Sequence, residues 1–262
     1  MCGTGLRNPV RPDMKISVIT AAYNAASTIE DAILSVASQT YPDVEHILVD
    51  GGSRDETLDV IERHRNKIAK VISEPDRGIY DAMNKGVKAA SGEIIGFLNA
   101  DDVYPHANVL AMVVEIMERE QLDALFGDVE FFPPHNPAIT LRRYSSARFR
   151  PDRIAWGWMP AHPALFVRRE VFQRVGAFRT DYRIAGDFEF VARAFSEKNL
   201  RYRHLPEVLV RMRTGGISTA GWRNTVLLNQ EVLRACRENG IQTNMLKILS
   251  KYPAKLLEYF NK

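Results

Sequence analysis

The sequence is poor in cysteine: two residues in 262, Cys2 and Cys236, stand at opposite ends of the chain. That excludes a disulfide scaffold and a thiolate zinc site, and it fits a reducing compartment. Long hydrophobic runs are lacking too, and every one falls far short of the roughly 20 apolar residues of a membrane-spanning helix. The opening residues hold no apolar leader. They are polar and carry glycine and proline, which predicts a disordered segment over residues 1–14 and a cytoplasmic protein. Excess charge is scarce as well. A net charge of +3 is too small to argue for nucleic acid, and no such partner is expected. No internal repeat, low-complexity tract or long linker divides the chain.

What is present is an ordinary globular composition, 45% hydrophobic and 26% charged, on a chain long enough to bury a substantial core. The basic residues are unevenly spread. Arg142, Arg143, Arg148, Arg150, Arg153, Arg168, Arg169, Arg174 and Arg179 crowd the middle, and Arg201, Arg203, Arg211 and Arg213 follow. Guanidinium groups pair oxygens bidentately, so this density suits phosphate or an anionic surface, with a solvated basic face as the bland alternative.

The first half alternates between two periods. Lys15–Thr20, Val44–Val49, Lys70–Ser73 and Glu93–Leu98 are short apolar runs suited to buried strands. Between them lie helical stretches. Ser27 with Glu30, and Ser53 with Glu56, read as capping boxes opening two of them. The first presents Ile29, Ala32, Ile33 and Val36 on one face; the second carries Leu58 and Ile61. A third helix spans about Ile79–Ala90 with Gly92 as its stop, and Val109–Glu118 is a fourth. The pattern predicts an α/β fold with a mostly parallel central sheet and helices on both faces. The second half is less regular. Leu125–Phe132 and Ile139–Tyr144 flank a proline-marked tip, Ala164–Val167 and Val208–Met212 read as strands, and Arg169–Val175, Asp187–Phe195 and Arg223–Glu238 read as helices.

In such sheets a ligand sits outside the carboxyl ends of the strands. The four loops there are Ala21-Ala22-Tyr23-Asn24, Asp50-Gly51-Gly52-Ser53, Glu74-Pro75-Asp76-Arg77-Gly78 and Asn99-Ala100-Asp101-Asp102, all polar and small. Adjacent carboxylates at a strand end repel unless a cation or hydrogen-bond donors compensate, so Asp101-Asp102 suits Mn²⁺ or Mg²⁺ bridging phosphate oxygens. A helix N-cap pair is the structural alternative. Asp50 can accept from a base N–H or a ribose hydroxyl, and its glycines let a ligand approach the backbone. A dinucleotide-binding oxidoreductase is disfavoured, because the first strand–helix turn, Thr20 to Ser27, contains no glycine.

Together the runs Ile16–Asn24 (ISVITAAYN), Val49–Thr57 (VDGGSRDET), Asp76–Gly86 (DRGIYDAMNKG) and Ser91–Asp102 (SGEIIGFLNADD) resemble the family 2 glycosyltransferases. The similarity is dense over about the first 105 residues and weaker to roughly residue 215. It implies the GT-A fold, an inverting nucleotide-sugar transferase, and a catalytic domain over 15–218. That domain would comprise a nucleotide-binding half at 15–105 and an acceptor half at 106–218, with 219–262 as a C-terminal helical extension.

By that resemblance, Thr20, Ala22, Tyr23 and Asp50 would hold base and ribose, with Ser53 nearby. Arg77, Asn84 and Lys85 would line the nucleotide pocket. Asp101 would touch ribose or metal, and Asp102 would ligate the metal. Asn99 stands where the family often has a further Asp. In the second half, Ala185–Arg193 (AGDFEFVAR) resembles the motif supplying the general base. Asp187 aligns with the base, and Gly186 replaces the acid that often precedes it. His162, Trp158, Glu189, Arg211 and Arg213 are the acceptor-side candidates, with a flexible loop over the diphosphate expected at Arg211–Ser218.

The implied reaction moves a hexose-type sugar from a UDP-sugar, with Mn²⁺ or Mg²⁺, to a glycan acceptor in cell-surface polysaccharide assembly. That acceptor is expected on a polyprenyl diphosphate. A GDP- or dTDP-sugar donor, or a decayed carbohydrate-binding protein, are the alternatives. The tail from Met245, apolar with interspersed lysines, reads as a peripheral contact with the inner face of the membrane or as a packing element.

Overall fold

The computed structural model describes residues 14–134, 136–215 and 221–252. The first half forms β1 (Ile16–Ala22), α1 (Ile29–Ala37), β2 (Val44–Asp50), α2 (Thr57–Arg63), β3 (Lys70–Ser73), α3 (Ile79–Ala89), β4 (Ile94–Phe97) and α4 (Val109–Arg119). The four strands pair in parallel in the order β3-β2-β1-β4, as right-handed βαβ crossovers demand. Every residue of β4 is buried, as a strand covered on both faces requires.

The second half extends the same sheet with β5 (Ala124–Phe132), β6 (Arg142–Tyr144), β7 (Leu165–Arg168) and β8 (Tyr202–Arg213). Here the pairing is mixed: β7 runs antiparallel to β4 and β5, β6 antiparallel to β5, and β8 parallel to β5. Strand β8 is longer than the Val208–Met212 its apolar run predicts. Its first half is polar and contains Pro206, which the sheet accommodates because the register with β5 shifts there, opposite Gly127. Helices α5 (Arg169–Val175), α6 (Gly186–Ala194), α7 (Gly221–Glu238) and α8 (Met245–Leu249) complete the fold.

Two helix starts differ from expectation. Glu30 pairs with His64 rather than folding back on Ser27, and the Ala25 and Ala26 amides donate to Thr57 and Asp55 from the next loop. Ser53 accepts from the Asn24 amide, while Asp55 receives the Thr57 N–H that starts α2. The loops after β1 and β2 are thus laced together. Gly92 does not stop α3, which ends at Ala89. It is needed because a Cβ there would stand 2.7 Å from the Ser17 nitrogen.

The C-terminal helices are not an appendage. Val232, Ala235 and Cys236 of α7 and Ile248 of α8 belong to the main hydrophobic cluster, with Phe126, Phe188 and Phe190. No helix among the described residues is long and apolar enough to cross a membrane. Of the segment expected to be disordered, residues 1–14, only Met14 is described, and it is buried; residues 1–13, part of the loop expected at Arg211–Ser218, and the tail beyond Tyr252 lie outside the described residues.

Candidate active site

The Asn99–Asp102 loop leaves the buried end of β4 and is clamped from the far side of the sheet. Val103 and Arg211 exchange backbone hydrogen bonds of 3.0 and 2.8 Å. The Arg213 amide then donates to Asp102 Oδ1 at 3.1 Å, and Asn99 Nδ2 donates to Asp102 Oδ2 at 2.8 Å. The Arg213 guanidinium reaches the Asp101 carbonyl, the Pro134 carbonyl and Asp31 Oδ2. Arg211 lies over Phe132, 3.7 Å from Glu130. Arg213 therefore braces the carboxylate pair directly, and Arg211 braces the loop through its backbone bonds to Val103.

Asp102 is 1% exposed and Asp101 half-buried. Burial raises both carboxyls above the ordinary range. For Asp102 the neighbouring Asp101 charge adds to it, while Asn99 and Arg213 pull the other way. A pair held this way has unmet demand for positive charge. Among the described residues no three His, Cys, Asp or Glu side chains gather into a metal cluster. Two carboxylates nevertheless fit a hard cation that completes its shell with diphosphate oxygens and water. Asn99, where the family often has a third acid, serves here to orient Asp102.

Several residues expected at the nucleotide lie beneath the site instead. Thr20 is fully buried with its hydroxyl 3.1 Å from His46 Nε2, and burial keeps that imidazole neutral, its pKa lowered to about 4. Asp50 is fully buried and accepts from the Gly52 and Ser53 amides and the Ser73 hydroxyl, so it shapes the loop that would meet a ligand. Asn84 exchanges two bonds with the Phe178 backbone, fastening α3 to the second half. Lys85 props the β3–α3 loop through the Pro75 carbonyl and Glu74. Thr20 is thus tied to β2, Asp50 to its own loop and the end of β3, Asn84 to the Phe178 backbone, and Lys85 to the β3–α3 loop.

Surface positions remain. Tyr23 is 60% exposed beside Asn24, which turns the chain in the left-handed region at φ 50°. Ala22 accepts the Gly51 amide, Ser53 is half-buried, and the Arg77 side chain is 79% exposed, 3.4 Å from Asp81.

In the second half of the chain, Asp187 sits in the first turn of α6, half-buried. Its Oδ1 accepts from the Phe188 amide at 2.8 Å and the Tyr80 hydroxyl at 3.2 Å, and no described residue bonds Oδ2. Tyr80 also donates to the Ile184 carbonyl at 2.6 Å. Burial and the Asp187 charge raise its pKa, so it stays a phenol. Gly186 has a steric reason: a Cβ there would stand 2.7 Å from the Tyr80 ring, so a further acid cannot share this position. Sequence reasoning missed both Tyr80 and Glu231. The 8%-exposed Glu231 carboxylate on α7 accepts the Arg183, Ile184 and Ala185 amides and holds the segment leading to Asp187. A cavity of about 180 Å³ lined by Arg77, Tyr80, Thr180, Asp181, Tyr182 and Arg183 adjoins this segment.

His162 packs between Phe97, the last residue of β4, and Phe178, with ring centroids 5.1 and 5.9 Å away. Both ring nitrogens are shut off from solvent without a protein partner. Burial lowers its pKa against the opposing pull of the Asp187 charge, so the ring is neutral. Trp158 is 9% exposed and serves packing. Glu189 is 1% exposed, paired with Arg193 and reached by Asn239.

This geometry can be set beside known proteins. The model of the glycosyl transferase family 2 matches residues 17–176. A PGL/p-HBAD biosynthesis glycosyltransferase of Mycobacterium bovis is 36% identical over 195 residues, covering 72% of this chain and 73% of that protein. Solved structures share the fold. Staphylococcus aureus TarS in complex with UDP-GlcNAc superposes with a TM-score of 0.66 at 20% identity, over 85% of this chain and 66% of that one. The mannosyltransferase PcManGT of Pyrobaculum calidifontis, in complex with GDP-Man and Mn²⁺, gives 0.62 at 22% identity over 87% and 68%. The chain spans 40% of a longer TarS structure. Matched over more than half its length by the family model, and by a relative this similar, the chain belongs to glycosyl transferase family 2 and has a GT-A-type fold.

Proposed function

We propose that the protein is an inverting transferase that moves a hexose-type sugar from a UDP-sugar to a glycan acceptor, with Asp187 as general base. The observation that carries this is the pairing of a buried, cation-demanding Asp101–Asp102 loop with a carboxylate whose Oδ2 is left unbonded. Asp187 is linked to the end of β4, from which the Asp101–Asp102 loop leaves, through Tyr80, Phe178, His162 and Phe97. TarS in complex with UDP-GlcNAc and PcManGT in complex with GDP-Man and Mn²⁺ support a nucleotide-sugar donor and a divalent metal, and UDP is our reading of the base. The relatives' role in PGL/p-HBAD biosynthesis supports a glycoconjugate acceptor, and a polyprenyl-diphosphate-linked glycan remains our reading of its carrier.

In this mechanism Asp187 Oδ2 takes the acceptor hydroxyl's proton as that oxygen attacks the anomeric carbon opposite the leaving group. The bond from carbon to the diphosphate oxygen breaks, the configuration inverts, and the nucleoside diphosphate departs. Tyr80 holds Oδ1 so that Oδ2 faces the acceptor. A bound Mn²⁺ or Mg²⁺ on Asp101 and Asp102 would supply Lewis-acid neutralisation of the departing diphosphate. Arg213 fixes that loop. The decisive experiment measures sugar release from a panel of UDP-, GDP- and dTDP-sugars with Mn²⁺, followed by the anomeric configuration of the product. Retained configuration, or no turnover with any donor, sinks the reading.

A further inference from the structure

The Asp101–Asp102 loop marks the diphosphate end of the proposed site, and the strand order says where the base must lie. Neighbouring strands are about 4.8 Å apart, so the ends of β2 and β3 stand roughly 10 and 14 Å from β4. The flank toward β7 is taken by His162, which packs on Phe97. A nucleoside diphosphate anchored at β4 therefore crosses β1 and brings its base over the β2 and β3 loops. Asp50 cannot meet it there, since its carboxylate is wholly buried and bonded within the loop.

One other carboxylate occupies that place. Asp76, in the loop after β3, lies directly over Gly51, the residue following β2: a Cβ on Gly51 would overlap Asp76 Oδ2 and stand 3.0 Å from its Cγ. Gly51 has no positive φ, unlike Gly52 at φ 80°, so what its lack of a side chain provides is room for this carboxylate. Asp76 Oδ1 accepts the Gly78 amide at 2.8 Å, which aims the group. Oδ2 has no bond with any described residue, and the side chain is half-buried.

We infer that Asp76, seated in the space left by Gly51, reads the imide N–H of the donor's base. This rests on the nucleotide-sugar reading above and deepens it. A carboxylate only accepts, so its ligand must donate. Uracil and thymine offer N3–H and guanine offers N1–H at that edge. Cytosine N3 and adenine N1 carry lone pairs, which face the carboxylate unfavourably. The residue thus selects imide-bearing nucleotides as a class.

The test uses the full chain with Mn²⁺ and calorimetric Kd values for UDP, CDP and N3-methyl-UDP. Wild type should bind UDP about ten- to a hundred-fold tighter than the other two, the range of one hydrogen bond to a charged group. Asp76→Ala should weaken UDP by that factor, leave N3-methyl-UDP nearly unchanged, and so erase the discrimination. Gly51→Ala keeps Asp76 but displaces it, and should produce the same loss, with melting temperature checked in both variants. If Asp76→Ala binds UDP within two-fold of wild type, the inference is wrong while the donor reading stands. Equal weakening of UDP and N3-methyl-UDP would place the carboxylate on the ribose and also overturn it. If wild type binds none of UDP, GDP or dTDP, the inference falls together with the donor reading.

Discussion

Replacing Glu231 by Gln tests whether the C-terminal helix α7 positions Asp187, the proposed general base. In the native protein Oε1 accepts the Arg183 amide at 2.8 Å, and Oε2 accepts Ile184 at 2.9 Å and Ala185 at 2.8 Å. A glutamine can keep its oxygen on the two-donor side, but its NH₂ then faces the Arg183 N–H, donor against donor. One hydrogen bond to a charged group is lost, worth about 1.5–3 kcal/mol, and the two survivors fall to neutral strength at about 1 kcal/mol each. The sum is about 2.5–7 kcal/mol. For a chain of this size that lowers Tm by roughly 5–28 °C. Differential scanning calorimetry reads the stability, and steady-state kinetics well below the lower Tm reads function. Because the loosened segment, 183–185, leads into Asp187 and not into the nucleotide loops, the UDP Kd should hold within two-fold. Turnover should fall about ten-fold or more, since misplacing a reacting group by an ångström costs on that order or beyond. A Tm drop with unchanged kcat would refute the positioning argument and leave Glu231 a structural cap. An unchanged Tm would refute the hydrogen-bond accounting itself.

Other outcomes follow from the same geometry. Asp187→Asn should retain UDP affinity yet lose about 10²–10⁴-fold in kcat, whereas a mere helix cap would tolerate it, because Asn caps as well as Asp. Asp102→Ala should abolish the dependence of UDP binding on Mn²⁺; equal UDP affinity of the wild type in EDTA and Mn²⁺ would sink the metal assignment. Both carboxyls titrate above their unfolded values, so ionising them costs folded-state stability, and this contribution weakens as pH rises from the ordinary carboxylate range through the raised values. Mn²⁺ needs both deprotonated, so its affinity should rise with pH over that window with proton release, visible as a buffer-dependent binding enthalpy. His162→Phe removes two unpartnered buried nitrogens and should hold or raise Tm; activity that survives unchanged would assign His162 to packing alone. Truncation should start at Pro253, because Ile248 is fully buried and its loss would unfold α8's contact with the core; unchanged liposome flotation would make the tail a packing element.

The order of strands and helices, the polar loops at the carboxyl ends and the Asp101–Asp102 pair were legible in the sequence alone. Strand and helix periods are local, and a hydrophobic run reports its own burial. Side-chain partnership is another matter. Thr20 with His46, Asn84 with Phe178, and Arg213 with Asp102, 111 residues apart, depend on which loops meet after the sheet assembles. The antiparallel half of the sheet was hidden for a similar reason, because neither pairing partner nor direction is encoded in a single strand's alternation. Gly51 and Gly186 look alike as sequence, two small residues beside acids. Only the packed structure says that one makes room for the Asp76 carboxylate and the other for the Tyr80 ring, because excluded volume is a property of neighbours and not of the chain.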